Sequence, residues 1–230
     1  MNTLDTVSVS IQTDGLGPFD SYQVKILDSK GEIIAQQAVS INTRQIQIPV
    51  KNIHAWTAES PTLYRCIVEL GDDTFVTSFG FRTIRFDEND LYINDQKVFL
   101  RGLNRHQCYP YIGYAAVDSL QEDDARILKE ELHVNAVRTS HYPQSQSFID
   151  ACDRYGLYVF TEIPGWQHIG DETWKQQAIQ NTKDMVLQYR NHPSIILWGV
   201  RINESLDDDE LYAKTNEVAR NLDPTRPTAG

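Results

Sequence analysis

Short runs of alternating apolar and polar residues occupy the chain up to about residue 85. Residues 7–11, 22–26 and 46–48 show this period of two, which indicates strands with one buried face. The turns between the runs are marked by Asp14-Gly15, Ser29-Lys30-Gly31 and Gly71-Asp72-Asp73. Short strands that recur about every ten residues favour a small antiparallel β-sandwich.

The pattern changes near Val98, where apolar runs begin to alternate with helical segments. The runs are residues 98–100, 134–137, 157–160 and 195–198. The predicted helices are residues 118–132, about 148–154 with Gly156 closing the helix, about 172–189, and a segment from after Ser205 to near Asp223. In the first of these helices, Ser119 and Glu122 are expected to form a capping box.

Strands that alternate with helices predict a parallel sheet with right-handed crossovers. A doubly wound sheet and a (β/α)8 barrel both have this order. The first strand is not followed by a GxGxxG motif, which argues against a dinucleotide-binding sheet. A complete barrel needs about 250 residues. We therefore predict an all-β sandwich over residues 1–85 and an α/β domain, the N-terminal half of a TIM barrel, over residues 86–230.

Composition and charge narrow the choice of partner and compartment. The formal net charge is −11 and the sequence has no run of Lys or Arg, which argues against a nucleic-acid partner. The N-terminus has neither a basic start nor an apolar signal core, and no apolar run reaches the length of a membrane span. Cys66, Cys108 and Cys152 are widely spaced, so we expect buried reduced thiols. These features predict a cytoplasmic protein with no membrane partner.

Polar residues cluster where each of the four apolar runs ends. The clusters are residues 101–106, 138–143, 161–168 and 201–205. In a barrel, the carboxyl ends of the strands form the rim that holds the active site. A single polar rim residue is commonly structural, but clusters at four successive strand ends indicate a site.

Three kinds of chemistry could use the residues of these clusters. His106, His141 and His168 could serve a metal hydrolase, but the sequence has no directed ligand pair such as HxH. An acyl hydrolase would need a GxSxG elbow, which is also missing. Glu204 beside Asn203 suits glycoside hydrolysis, in which a carboxylic acid protonates the leaving oxygen.

Two aromatic residues near these clusters could offer a ring face to a sugar, namely Trp166 and Trp198. Trp198 lies inside an apolar run, so we expect it in the core rather than in the site.

Two long segments resemble the signatures of glycoside hydrolase family two, the group of β-galactosidases, β-glucuronidases and β-mannosidases. NAVRTSHYP (residues 135–143) resembles the first signature, and RNHPSIILWGVRINE (residues 190–204) resembles the second. LRGLNRHQCYP (residues 100–110) and CDRYGLYVFTE (residues 152–162) are similar to the β-galactosidase branch in particular.

The resemblance extends to the first domain. AWTAESPTLY (residues 55–64) and SFGFRTIRF (residues 78–86) resemble the close of the immunoglobulin-like domain that precedes the barrel in this family. It therefore covers essentially the whole chain, and it implies an immunoglobulin-like sandwich followed by the first half of a TIM barrel.

The resemblance also implies an activity, that of a retaining exo-β-glycosidase acting on a carbohydrate, with β-galactosides as the expected substrates. Glu204 matches the family's general acid/base, and Asn203 matches the residue that hydrogen-bonds the 2-hydroxyl of the sugar. Glu162 matches a carboxylate that supports the site without reacting. The predicted substrate-binding residues are Asn203, His106, His141, Arg138 and Trp166.

The implied mechanism sets two physical expectations. The acid works best if its pKa is raised towards neutrality by burial or by a neighbouring carboxylate. The two reacting carboxyl groups of a retaining enzyme should lie about 5–5.5 Å apart.

Two features depart from the family pattern. The family's nucleophile is a glutamate after the seventh strand, so we expect it outside this chain and expect this segment alone to be inactive. The acidic magnesium ligand of the β-galactosidase branch falls near Trp166, two residues before His168, so no cofactor and no metal site are predicted.

A second class of function remains open at this point. The chain could be a non-catalytic carbohydrate-binding or interaction module derived from a glycosidase. In either case, half a barrel exposes the edges of its first and last strands. If the chain is stable alone, we expect a homo-oligomer that pairs those edges.

Overall fold

The computed structural model describes residues 5–12, 19–87 and 90–229. The turn predicted at Asp14-Gly15 lies outside these residues. The chain divides into two compact units. One is formed by Met1–Trp56 and Thr62–Arg82, and the other by Thr57–Pro61 and Thr83–Gly230.

The first unit consists of antiparallel strands along which buried and exposed residues tend to alternate. Its strands are β1 (Thr6–Ser10), β2 (Ser21–Leu27), β3 (Ile33–Ser40), β4 (Gln45–Pro49), β5 (Tyr64–Leu70) and β6 (Asp73–Phe79). Strands β3, β2, β5 and β6 pair in that order in one sheet, and β1 pairs with β4 in a second. Val24 and Ile26 from the first sheet share one buried cluster with Ile46 and Ile48 from the second. The predicted antiparallel sandwich is confirmed.

The second unit begins with a small antiparallel sheet and continues as a parallel one. The antiparallel strands are β7 (Ile84–Phe86), β8 (Leu91–Ile93) and β9 (Gln96–Val98). The parallel strands are β10 (Gly102–Arg105), β11 (Ala136–Thr139), β12 (Tyr158–Glu162), β13 (Ile195–Gly199) and β14 (Thr228–Ala229). These five strands pair in chain order, as they do in a barrel. The barrel is therefore present in part, with one more strand than the sequence pattern predicted.

Helices connect the parallel strands in turn. They are α1 (Asp118–Arg126), α2 (Gln146–Tyr155), α3 (Glu172–Tyr189) and α4 (Asp209–Leu222), and a π-helical turn over Ile127–Glu131 extends α1. Gly156 closes α2 with a φ of +77°, as predicted, because this left-handed conformation favours glycine.

The helix starts show where the capping prediction fails. Asp171 caps α3 by accepting a hydrogen bond from the Trp174 amide at 3.0 Å, and Asp208 caps α4 by accepting one from the Leu211 amide at 2.9 Å. The capping box predicted at Ser119 is wrong. Because α1 already begins at Asp118, Ser119 lies within the first turn, and the residue at the cap position is Val117, whose side chain makes no capping bond.

The first parallel strand also differs from the prediction. Val98 ends β9, and Phe99 is 79% exposed, so the apolar run 98–100 is not a barrel strand. The strand begins at Gly102 instead, where a β-carbon would lie 2.2 Å from the carbonyl oxygen of Ala136. Only glycine permits this close approach. The pairing of β10 with β11 therefore begins at Gly102 and not within the apolar run.

The core of the second unit is formed by the apolar runs 157–160 and 195–198 together with the inner faces of the helices. Trp198 is fully buried, as expected, and its indole N–H donates to Asp223 at 3.0 Å. Cys66 and Cys152 are buried free thiols, which confirms the prediction for these two residues. Cys108 is exposed, so the prediction of a buried thiol is wrong there, because this cysteine lies in the loop after β10. Within the described ranges, no helix is both long and apolar enough to cross a membrane.

Candidate active site

The carboxyl ends of β11, β12 and β13 bring together most of the polar residues that the sequence singled out. A cavity of about 160 Å³ opens at this rim. Its lining includes Arg138 from β11, Glu162 from β12, and Asn203 and Glu204 from the loop after β13. Polar clusters far apart in sequence therefore meet at one place.

Glu162 is the buried centre of a charged network. Its carboxylate is 4% exposed and accepts hydrogen bonds on both oxygens. Arg138 Nε donates to Oε1 at 2.5 Å, and His141 Nδ1 lies 3.1 Å from Oε2. Since an ionised carboxylate only accepts hydrogen bonds, Nδ1 of His141 carries the proton, and its Nε2 is the acceptor when the ring is neutral. Glu162 therefore fixes the orientation of both neighbours.

Asn203 is oriented by the same arginine. Arg138 Nη2 donates to Asn203 Oδ1 at 2.9 Å. The amide nitrogen Nδ2 is buried and has no hydrogen-bond partner in the part of the chain that the structure describes. A buried polar group without a partner is uncommon and costly. Arg138 holds the carbonyl oxygen, and the N–H donors contribute least among the groups that lower the pKa of the Glu204 carboxyl, so they are available to a ligand.

Glu204 lies beside Asn203 in the loop after β13 and is exposed. Its oxygen Oε2 accepts one hydrogen bond from Trp166 Nε1 at 3.0 Å and another from Gln167 Nε2 at 2.8 Å. These two bonds are the main reason that the pKa of the Glu204 carboxyl lies below its ordinary value, and a smaller electrostatic contribution from His141 acts in the same direction. The expected rise in the pKa of this acid is not found, because exposure keeps the cost of its charge small and the donors stabilise the carboxylate.

Trp166 belongs to the loop after β12 and is 63% exposed. Its ring stacks on His141 with an interplanar angle of 24° and a centroid distance of 6.4 Å. The backbone of Trp166 forms a parallel bridge with that of Asn203. The backbone N–H of Gln167 donates to the backbone carbonyl of Asn203 at 2.7 Å. The two rim loops are therefore bound to each other directly.

His106 lies at the outer edge of the site. It is exposed in the loop after β10, and its ring centroid is 5.5 Å from that of His141. Tyr142 Oη lies 3.4 Å from His106 Nδ1. His106 thus joins the site through aromatic and imidazole neighbours rather than through the carboxylates.

Two of the singled-out polar residues point to other partners. Arg201 donates to the Ser205 carbonyl at 3.0 Å and to Asp207 at 2.6 Å, so its charge is used within its own loop. The exposed His168 ring packs edge-on against Trp174 and is not among the residues that line the cavity.

Sequence reasoning missed Gln167. The only available signal was its place in the strand-end cluster 161–168, next to Trp166, because the contact with Glu204 is made between two loops and leaves no periodic pattern.

The residues around Glu204 do not fit a magnesium ion. Magnesium requires a shell of oxygen ligands. The loop after β12 supplies instead the indole N–H of Trp166 and the amide N–H of Gln167, and both donate to Oε2 of Glu204.

A second group of side chains lies close enough to hold a cation, but its atoms are already engaged. Asp150, Asp153 and His192 have ligand atoms within 4.8 Å of one another. His192 Nδ1 bonds Asp153 at 2.6 Å, and its Nε2 bonds Gln146 at 2.6 Å. The second oxygen of Asp153 accepts from the Ser194 amide at 2.9 Å. The group joins α2 to the segment before β13, and its interactions account for its burial.

Comparison with known proteins places this geometry in a family. Residues 84–229 match the family description "Glycosyl hydrolases family 2, TIM barrel domain", and residues 4–82 match "Glycosyl hydrolases family 2". A β-galactosidase of Thermoanaerobacterium thermosulfurigenes is 47% identical over 224 residues, which cover 91% of this chain and 31% of that protein. A β-galactosidase of Thermoanaerobacter pseudethanolicus is 48% identical over 216 residues, which cover 90% of this chain and 29% of that protein.

Solved structures agree with the sequence comparison. The apo structure of Bacteroides uniformis β-glucuronidase 3 is 32% identical and superimposes with a TM-score of 0.86 over 97% of this chain and 30% of its own. The chain spans about 30% of the length of the curated relatives described above. On the evidence of both family matches, the chain belongs to glycosyl hydrolase family 2, near the β-galactosidase branch.

Proposed function

We propose that this chain forms part of a retaining exo-β-glycosidase that hydrolyses terminal β-linked sugars, with β-galactosides as the substrates. Glu204 is the general acid/base, and the nucleophile belongs to a segment outside this sequence. The observation that carries the proposal is the position of Glu204 next to Asn203, whose buried Nδ2 has no hydrogen-bond partner among the described residues. The preference for galactosides is supported by the names of the relatives that share 47% and 48% identity with the chain.

The first chemical step uses Glu204 as an acid. Its proton passes to the oxygen of the leaving group while a carboxylate nucleophile attacks the anomeric carbon, which gives a glycosyl ester and a free alcohol. The hydrogen bonds that lower the pKa of Glu204 limit the fraction of protonated acid at neutral pH. The step is therefore expected to slow as pH rises.

The second step uses Glu204 as a base. Its carboxylate takes a proton from water, the water oxygen attacks the anomeric carbon, and the ester bond to the nucleophile breaks. The hydrogen bonds from Trp166 and Gln167 favour the carboxylate form that this step needs. One carboxyl group thus serves both steps, and its hydrogen bonds assist the second.

Asn203 binds the sugar. Its Nδ2 donates to the hydroxyl at C2, and this bond strengthens as the transition state develops charge. Arg138 acts indirectly, because it holds Oδ1 of Asn203 and so fixes the direction of the amide. His106, His141 and Trp166 contribute the wall of the sugar site.

The proposal includes no metal ion or other cofactor, since the donors around Glu204 do not suit magnesium. The alternative, a non-catalytic carbohydrate-binding module, is not favoured, because the relatives and solved structures described above carry the names of enzymes.

The test uses the complete protein encoded by the gene that contains this chain. Glu204→Gln should lower kcat/KM for alkyl β-D-galactosides by about 100- to 10,000-fold. The loss should be much smaller for dinitrophenyl galactoside, whose leaving group departs without a proton. Glu217→Gln, an exposed position on α4, is the matched control and should behave as the parent. If Glu204→Gln retained the parent rate on the alkyl substrate, the assignment of the acid would be wrong.

A further inference from the structure

Two donors converge on one oxygen of the Glu204 carboxyl group. Trp166 Nε1 and Gln167 Nε2 lie 3.0 and 2.8 Å from Oε2, and neither bond involves Oε1. The carboxyl group of an exposed glutamate can rotate about its last bond, and one hydrogen bond restrains that rotation less than two do. Two donors from neighbouring residues restrain the position of Oε2 and, with it, the plane of the group.

The backbone holds the donors and the acceptor in register. Gln167 and Glu204 both adopt left-handed conformations, with φ values of +62° and +55°. Residues with a β-carbon adopt this region at an energetic cost, and such residues cluster at functional sites. The backbone N–H of Gln167 donates at 2.7 Å to the backbone carbonyl of Asn203, the residue that precedes Glu204. The strain at both ends of the contact is thus stabilised by a hydrogen bond between the two loops.

The stacking partner of Trp166 ties the same contact to the buried network. The indole ring lies over His141 at 24°, and His141 is fixed by Glu162. The position of the indole N–H therefore depends on the strands β11 and β12 and not on the loop alone.

We infer that Trp166 and Gln167 form a carboxylate clamp that positions Glu204, holding Oε2 so that Oε1 faces the leaving-group oxygen and the attacking water. The inference rests on the proposed function, since it gives the clamp a reaction to serve. Neither clamp residue exchanges a proton with the substrate, so both are positioning residues. The clamp stabilises the charged form of the Glu204 carboxyl. This assists the base step, and it means that the acid step is fastest at lower pH, where the carboxyl is protonated.

The experiment measures kcat/KM against pH for the complete protein with aryl and alkyl β-D-galactosides. The variants are Gln167→Leu, which removes one donor of an exposed side chain, and Trp166→Phe, which removes the other donor and keeps an aromatic ring. Each variant loses a bond that stabilises the carboxylate, so the alkaline limb of kcat/KM should move to higher pH. We expect kcat/KM, which reports the acid step, to fall about 10-fold on alkyl substrates and less on dinitrophenyl galactoside.

Gln188→Leu, the same change at an exposed position of α3, is the matched control and should leave the limb in place. If the limb stays where it is in either clamp variant, or if kcat/KM falls equally for every leaving group, the clamp is overturned. Glu204→Gln is measured in parallel and separates this result from a failure of the proposed function. When Glu204→Gln is strongly impaired and the clamp variants keep the parent pH profile, the acid assignment stands and the clamp does not.

Discussion

Arg138 donates to Oδ1 of Asn203 at 2.9 Å, and this bond decides which side of the amide faces the site. The same guanidinium is held by the buried carboxylate of Glu162. Burying a carboxylate requires partners of this kind. The order of dependence therefore runs from Glu162 through Arg138 to Asn203, and each link gives a measurable expectation.

The first prediction concerns Arg138→Lys. A lysine ammonium cannot reproduce the planar, multiple hydrogen bonds of a guanidinium. The amide of Asn203 should then lose its fixed orientation, and kcat/KM should fall about 10- to 100-fold. A double-mutant cycle with Asn203→Ala tests the route of the effect. The two losses should be strongly non-additive, and simple additivity would show that Arg138 does not act through Asn203.

The second prediction concerns the stability that Glu162 contributes. Glu162→Gln leaves the partly buried Arg138 charge without its counter-ion and should lower the free energy of unfolding by about 2 kcal/mol. Urea denaturation of the complete protein measures this change. The matched control is Glu122→Gln, which breaks a surface pair with Arg154 in which each side chain is 47% exposed. That change should cost less than about 0.5 kcal/mol. Equal losses in the two variants would contradict the structural role of Glu162.

The third prediction concerns the pH dependence of stability at Asp223. Burial raises the pKa of this carboxyl, but the ion pair with Arg226 and the hydrogen bonds from Thr225 outweigh burial and hold it below the ordinary value of 3.8. A folded-state pKa below the unfolded one adds stability above the unfolded pKa, and this stability is lost as pH falls through the folded pKa. Asp223→Asn should therefore be destabilising near pH 7, and its difference from the parent should shrink below about pH 4. Urea titrations at several pH values measure this difference, and a constant difference would contradict the ion pair.

The fourth prediction concerns the thiols. Burial raises the pKa of Cys66 to about 11 and that of Cys152 well above its ordinary value, whereas Cys108 is exposed. Because the thiolate is the reactive form, iodoacetamide should modify Cys108 first in the native protein. Peptide mapping by mass spectrometry, with a denatured sample as control, checks the order. Early labelling of Cys152 would mean that α2 is not packed as described.

The elements that could be predicted from sequence are those whose pattern coincides with their burial. The strand Ile195–Gly199 is an apolar run buried within the sheet, and the helix Glu172–Tyr189 has the bounds that its sequence suggested. The strand Gly102–Arg105 could not be found in this way. It lies at the edge of the sheet and is mostly exposed, so its sequence is not apolar. The apolar residues 98–100 just before it gave a misleading strand signal.

The site was predictable to the same extent. Three of the four predicted strand ends led to Arg138, Glu162, Asn203 and Glu204, because parallel strands present their carboxyl ends at one rim. The role of Gln167 was not visible, since its bond to Glu204 depends on two left-handed backbone conformations that no sequence period encodes. The low pKa of Glu204 was missed for the same reason, because its two donors come from that unrecognised contact.

Rescue of Glu204→Ala by azide, in the complete protein, tests most directly whether Glu204 is the acid/base of a retaining enzyme. Without the carboxylate, the glycosyl ester formed from dinitrophenyl galactoside should accumulate, because no base activates water. Azide needs no base, so it should restore turnover and give the β-galactosyl azide, with the configuration of the substrate retained. If azide neither restored turnover nor gave this product, Glu204 would not be the acid/base of a retaining enzyme.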